Sequence, residues 1–230
     1  RVVEIAEIED CPVLVTAHVD APKATPDVDT LRSLGDLLGR LHTMPVGDVD
    51  RPAGVLHHWA PDGGGIDAGI DVAQRWLDRV EPKGDDVARL DALRSRLDRK
   101  DTFADLPSAL CHPDYSHDNA LAGPVLVDWS GGGVGPRVHG VLTLLLLALF
   151  RNPAGVRLDL VDAALTGYRE HVQLTAEEVD RMTAAMRYGD PVNDAFGVAL
   201  GHAQLIHVVA GWDRPNKVMD EIVERVYSST

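Results

Sequence analysis

The chain has 230 residues, 45% of them hydrophobic and 25% charged, the composition of a folded globular protein and not of a disordered or fibrous one. Thirty-six acidic against 22 basic residues give a formal net charge of −14, which sets nucleic acid and anionic membranes aside as partners. The same charge favours a cationic small molecule or simply keeps the chain soluble, and composition leaves both open.

Residues 2–8 and 12–19 are β-rich runs separated by Glu9-Asp10-Cys11, a pattern that predicts a hairpin. From Thr25, a candidate N-cap followed by Pro26, apolar residues recur at Val28, Leu31, Leu34, Leu38 and Leu41, predicting a helix that stops at Pro45. Residues 52–65 read as a loop. Helices are expected over 71–80 and 85–99, broken by Glu81-Pro82-Lys83-Gly84.

The pattern then changes. Residues 109–112, 120–122 and 125–128 are short apolar runs joined by polar or Gly-Pro turns, as short strands would be. Gly131 to Gly135 reads as a flexible loop; a dinucleotide fingerprint is not supported, because no second strand or terminal acidic residue follows. Helices are predicted over 138–150, 156–171, 192–211 and 217–228, and from Thr175, where Thr175 and Glu178 form a capping box. The longest apolar run, 141–150, is too short to span a bilayer, and no basic-then-apolar leader opens the chain. Cys11 and Cys111 lack a metal-ligand spacing and suit a reducing cytoplasm.

Chemistry concentrates in His112-Pro113-Asp114-Tyr115-Ser116-His117-Asp118-Asn119. Phosphoryl transfer needs one carboxylate to orient an acceptor hydroxyl and oxygen ligands to hold Mg²⁺ on the phosphates. In the kinase pattern a loop supplies the first Asp and, five positions later, an Asn, while the following strand ends in a second Asp. Asp114, Asn119 and Asp128 take those places, with His112 two residues before Asp114. An ordinary polar turn is the bland alternative for 114–119, and the strand-borne Asp128 weighs against it.

On these residues the sequence resembles the aminoglycoside phosphotransferase family, with its H-x-D-x-x-x-x-N loop and a strand ending in Asp-Trp. The run from Leu31 to Pro45 is similar to the family's first large-lobe helix, and residues 11–21 to the strand and hinge before it, so the likeness covers about 10–150. The resemblance implies an α+β, protein-kinase-like fold that is mostly the helical C-terminal lobe. Residues 1–20 would be the last hairpin of the small lobe and the hinge, and 21–230 the large lobe. It further implies ATP or GTP and Mg²⁺ as cofactors and a small-molecule hydroxyl as acceptor. Asp114 would be the catalytic base, His112 a member of its loop, and Asn119 and Asp128 the metal ligands. The backbone at Thr16, Ala17 and His18 would meet the nucleotide base.

The sequence departs from the family at three places. Pro113 stands where the family has Gly. The segment Gly135-Pro136-Arg137-Val138-His139-Gly140 lacks the family's bracing carboxylate on the next helix, and Arg137 is the candidate to brace or to face phosphate in its stead. The phosphate-covering loop, strand Lys and helix Glu of the small lobe are not recognisable ahead of the hinge, and Lys23 lies after it. A kinase-like binding module without activity is therefore the alternative reading. A metallohydrolase built on His112, Asp114, His117 and Asp118 is the lesser one, since His57-His58 and the His202/His207 pair lack ligand spacing. Asp190, Asp194 and Asp213 are candidates to line a cationic pocket or to form a solvated face. Trp129 and Cys111 are expected to be packing residues.

Overall fold

A computed structural model describes residues 2–8, 11–16, 18–47, 65–98, 103, 105–112, 114–123, 125–129, 131–150, 157–188, 191–212 and 217–228. Pro113, Ala17, His57, His58, Asp190 and Asp213 lie outside the described residues. The expected hairpin is present: β1 (Val2–Ile8) runs antiparallel to β2 (Cys11–Thr16), with Ile8 opposite Cys11. The second strand ends at Thr16, three residues short of the expected limit.

Helix α1 (Val28–Thr43) buries Leu31, Leu34, Leu38 and Leu41, the stripe that the spacing predicts. Its N-cap is Asp27 and not Thr25. The extended Asp27 accepts the Thr30 N–H at 2.8 Å, satisfying an otherwise orphaned helix donor, while the Thr25 hydroxyl donates to the same carboxylate. Two helices follow, α2 (Gly65–Leu77) and α3 (Asp86–Leu97); the first begins six residues earlier than its periodicity indicates.

The middle of the chain forms short two-stranded ladders. β3 (Ser108–Cys111) leads into the candidate loop, whose end is a 3₁₀ turn (His117–Asn119). β4 (Ala120–Leu121) pairs with β5 (Val125–Leu126). The glycine-rich segment expected to be a loop is in part a strand: β6 (Gly133–Pro136) pairs antiparallel with β3, placing Gly133 opposite Cys111 and Pro136 opposite Ser108. Its sequence has little β propensity; the backbone of β3 supplies the partner.

Helices α4 (Arg137–Phe150), α5 (Leu158–Arg169), α6 (Ala176–Tyr188) and α9 (Lys217–Tyr227) complete a first core with α1. The single helix expected over 192–211 is two, α7 (Pro191–Ala199) and α8 (Leu205–Trp212). Gly201 at φ +74 ends the first, and the His202 N–H reaches back to the Gly197 carbonyl at 2.8 Å, a helix stop that apolar periodicity does not reveal. A second core is formed by α2, α3, α7 and α8 around Leu77, Leu93 and Phe196.

The tightest packing is between α1 and α5. A Cβ on Gly35 would lie 2.0 Å from the Ala164 carbonyl oxygen, and one on Gly167 would lie 2.1 Å from that of Arg32. The two backbones therefore touch, which only residues without a side chain permit. Gly35→Ala and Gly167→Ala are each expected to lower stability by more than the roughly 1–3 kcal/mol of ordinary overpacking. Gly84→Ala, where a Cβ meets no atom within 4 Å, is expected to cost about 1 kcal/mol for its positive φ alone. Urea unfolding of the three variants measures the contrast, and equal losses would contradict backbone contact at the crossing.

Candidate active site

The candidate loop hangs between β3 and β4 and is anchored from below. Tyr115 is fully buried, and its hydroxyl donates to the Leu34 carbonyl on α1 at 2.7 Å; burial pushes this phenol above its ordinary pKa, so it stays a donor. The residue beside the candidate base is thus fixed to the helix that crosses α5.

His112 is buried, and each ring nitrogen has a backbone partner. Nδ1 accepts the Asp114 N–H at 3.2 Å and Nε2 lies 2.9 Å from the Val127 carbonyl. A carbonyl only accepts, so Nε2 carries the proton and the ring is in its neutral Nε2–H form. His112 thereby ties the backbone of Asp114 to the residue before Asp128. Trp129 packs edge-on to this ring at 4.8 Å, with its indole N–H donating to the Leu126 carbonyl, and Tyr115 does so at 6.2 Å. Trp129 packs as the sequence suggests, though 42% of it remains exposed.

Asn119 completes the constellation. Its Nδ2 donates at 2.9 Å both to the Asp114 carbonyl and to Asp114 Oδ2, and its backbone carbonyl accepts the Val127 N–H at 2.9 Å. Both bonds come from the amide nitrogen, so Oδ1 is the side-chain atom that Asn119 has to offer a cation. Asp128 is exposed and sits at φ +61, a left-handed conformation that Asp tolerates better than most residues and that concentrates at functional sites. Oxygen donors from one amide and one carboxylate are the hard ligands that Mg²⁺ takes alongside water and phosphate. The donor set therefore fits that ion, whereas His112, with both nitrogens bonded, has none left for the metallohydrolase alternative.

The structure describes two of the three residues assigned to the nucleotide base. Thr16 ends β2 opposite Val2, His18 is exposed, and Ala17 is outside the described residues. The chain just after them is nonetheless joined to the site. The Ala24 N–H donates to the Ala120 carbonyl and the Ala122 N–H to that of Pro22, both at 2.9 Å. Lys23 thus forms a bridge to Leu121, two residues beyond Asn119.

Arg137 braces a different element from the one its position suggests. Its guanidinium grips the fully buried Glu178 with two bonds, 2.6 and 2.7 Å, and donates to the Gln173 carbonyl at 3.2 Å. Burial opposes ionisation of Glu178, but the Arg137 bonds and the Thr175 N–H at 2.8 Å outweigh it and hold its carboxyl below the usual range. The expected capping box is there too, the Glu178 N–H donating to the Thr175 hydroxyl at 3.2 Å. Glu178 so joins the start of α6 to the start of α4, a link across 41 residues that no sequence spacing announces.

Beside this pair, His42 on α1 bonds Tyr168 on α5, Nδ1 to hydroxyl, at 3.0 Å. Its Nε2 has no partner among the described residues and faces Gly140, where a Cβ would lie 3.1 Å away. Cys111 is buried with its thiol pushed up to about 12 by burial, so it packs and does not react. Asp36, Glu170 and His171 form a surface cluster that the sequence reading missed, with ligand atoms within 4.8 Å of one another. Arg40 and Arg32 already neutralise its two carboxylates, and His171 is bonded to Asp36 at 2.6 Å. Asp194 is half-buried in the first turn of α7.

The sequence model of the phosphotransferase enzyme family matches residues 5–174. No curated protein matches the sequence. Among solved structures, a choline/ethanolamine kinase family protein from Mesorhizobium loti is 19% identical and superposes with a TM-score of 0.57 over 100% of this chain and 76% of its own. An aminoglycoside phosphotransferase from Alicyclobacillus acidocaldarius is 17% identical, with a TM-score of 0.59 over 98% of this chain and 73% of its own. An amicoumacin kinase is 16% identical, with a TM-score of 0.53 over 95% and 68%. The chain has their helix-rich, protein-kinase-like α+β fold. Among the described residues no helix is long and apolar enough to cross a membrane.

Burial, reinforced by the positive charge of Arg137, lowers the pKa of His42 to about 3. The unfolded chain takes up this proton near pH 6.5 and the folded chain does not until about pH 3, so stability is complete above 6.5 and falls as pH drops through that window. Between pH 7 and 5 the loss from this residue is about 2 kcal/mol. Urea unfolding of the wild type and of His42→Gln, which keeps a polar partner for Tyr168 and cannot titrate, should show a shallower pH slope in the variant. Parallel slopes would place the acid sensitivity elsewhere.

Proposed function

The chain belongs to the phosphotransferase enzyme family, and from that membership we propose that it transfers the γ-phosphoryl group of ATP or GTP to the hydroxyl of a small molecule. One observation carries the reading: the Asn119 amide holds the Asp114 carboxylate and carbonyl together, so the acid and the metal-facing oxygen form one unit. The amicoumacin kinase of the same fold was solved with AMP-PNP and Ca2+, which supports a nucleotide and a divalent ion as the cofactors here.

In this account Asp114 accepts a hydrogen bond from the acceptor hydroxyl, aligns it and takes its proton. As the acceptor oxygen bonds to the γ-phosphorus, the bond from that phosphorus to the β–γ bridging oxygen breaks, and the nucleoside diphosphate leaves with the electron pair. Asn119 Oδ1 and the Asp128 carboxylate would hold Mg²⁺, whose charge offsets that of the phosphates. His112 positions these groups without exchanging protons, because both its nitrogens are occupied.

The backbone of Thr16, Ala17 and His18 is the proposed seat of the base, and residues 1–20 and 21–230 the proposed division into hairpin-with-hinge and large lobe. The net charge of −14 favours a cationic acceptor, by the long-range field of an acidic surface. The buried, reduced thiol of Cys111 suits a cytoplasmic setting.

Asp114→Asn keeps the shape of the loop and removes the proton acceptor. Transfer to choline, ethanolamine or an aminoglycoside is expected to fall by about 10²–10⁴-fold, with an unchanged circular-dichroism spectrum. Turnover within tenfold of wild type would remove Asp114 from the chemistry. Asp128→Asn should weaken Mg²⁺-dependent nucleotide binding by at least the roughly tenfold that losing even a supporting partner costs a metal site. Calorimetry with the same affinity in both proteins would deny Asp128 that role.

A further inference from the structure

Asp114 and Asp128 leave the same end of one short ladder. β3 runs up to Cys111 and continues through His112 to Asp114, while β6 begins opposite Cys111 at Gly133, after a turn in which the Gly132 N–H donates to the Trp129 carbonyl at 2.9 Å. The register of β6 on β3 therefore governs how far apart the two carboxylates stand. That register has little support of its own. Each strand has four residues, an isolated two-stranded ladder is marginal in water, and Gly133-Val134-Gly135-Pro136 has low β propensity. Among the described residues β3 packs on α1 and α4, whereas β6 has β3 and the helix it runs into as its main neighbours.

The opposite end of the ladder is held by α6. There Ser108 faces Pro136, and the Arg137 N–H donates to the Pro107 carbonyl at 3.0 Å. The Arg137 guanidinium, next in the chain after β6, takes the fully buried Glu178 carboxylate in a two-pronged grip. One turn along α6, Arg181 pairs with Asp105 at 2.8 Å and lies over the buried Phe103, 5.9 Å from its ring centroid. Phe103 sits at φ +57, which a bulky residue keeps only where its surroundings impose it. Helix α6 thus reaches both the approach to β3 and the exit from β6. Asp105 is exposed, and an exposed ion pair contributes little. The buried fork of Arg137 on Glu178 is the contact that fixes position, because paired parallel bonds set orientation as well as distance.

We propose that Glu178 is a positioning residue of the phosphotransfer site: by holding Arg137 at the foot of the ladder it fixes β6 against β3, and so the spacing of Asp114 and Asp128 at the head. Its consequence for rate rests on the phosphotransferase reading; its effect on the ladder does not. A displacement of about 1 Å between reacting groups costs a phosphotransfer site up to ~10²-fold in rate, which makes a remote clamp matter to the chemistry.

The test uses the double variant Arg137→Met with Glu178→Gln. It removes both charges together, so neither is left buried alone, and keeps a Gln in the capping box of α6. Hydrogen exchange on the whole chain without ligand should show peptides 105–112 and 131–137 exchanging roughly tenfold faster than in wild type, with α1 and α5 unchanged. With the acceptor that the wild type phosphorylates, and at a temperature where both proteins are folded, kcat is expected to fall by about 10–10²-fold. The Mg²⁺ concentration for half-maximal rate should rise and the acceptor KM stay the same. Leu93→Ala, destabilised in the second core, is the control and should leave kcat unchanged. Should the double variant fail to fold, Arg137→Lys, which keeps the charge and loses the fork, takes its place. Ladder exchange at the wild-type rate would overturn the proposal, and so would an equal fall of kcat in Leu93→Ala, which would mean that activity merely follows stability. A wild type that transfers no phosphate would count against the phosphotransferase reading, and the exchange comparison would still decide the clamp.

Discussion

Everything at the candidate site rests on the contact between α1 and α5, where Gly35 and Gly167 let one backbone lie against the other. Close approach brings the Leu34 carbonyl to the height at which Tyr115 reaches it, and sets His42 opposite Tyr168. A side chain at either glycine would separate the helices by the thickness of a methyl group. The loop anchored to one of them would have to move with it. The crossing thus converts helix packing, which is nondirectional, into the placement of one carboxylate.

Above that base, the loop works by using up its hydrogen-bonding capacity. His112 spends one nitrogen on Asp114 and the other on Val127, and Asn119 spends its amide nitrogen on Asp114. The side-chain groups gathered around this loop are oxygen-bearing: the carboxylate of Asp114, the amide of Asn119 and, at the end of the next strand, the carboxylate of Asp128. Groups locked in this way need little reorganisation when charge develops, which is how a phosphotransfer site gains most of its rate. The ion pair of Arg137 with Glu178 serves the scaffold instead, clamping the helix that follows β6 to α6.

Much of this was legible in the sequence because it is local. The Asp114, Asn119 and Asp128 spacing lies within 15 residues, and the Leu31, Leu34, Leu38 stripe follows the helical repeat. What was hidden depends on distant partners. Gly133 to Pro136 form a strand because β3 is beside them, although nothing in a Gly-Val-Gly-Pro run favours one. Arg137 looks free to face phosphate until Glu178, 41 residues on, claims it. The apolar repeat from 192 onwards runs unbroken through Gly201, whose backbone conformation ends α7. The separation into two cores has no local signature at all, since both are built from ordinary amphipathic helices.

The central claim is that Asn119 and Asp128 present oxygen ligands to a metal-bound nucleoside triphosphate. Isothermal titration of the protein with ATP, in the presence of Mg²⁺ and again in its absence with a chelator, tests it most directly. The account predicts saturable one-to-one binding that is lost or strongly weakened without the metal. Binding of equal strength in both conditions, or none in either, would contradict it.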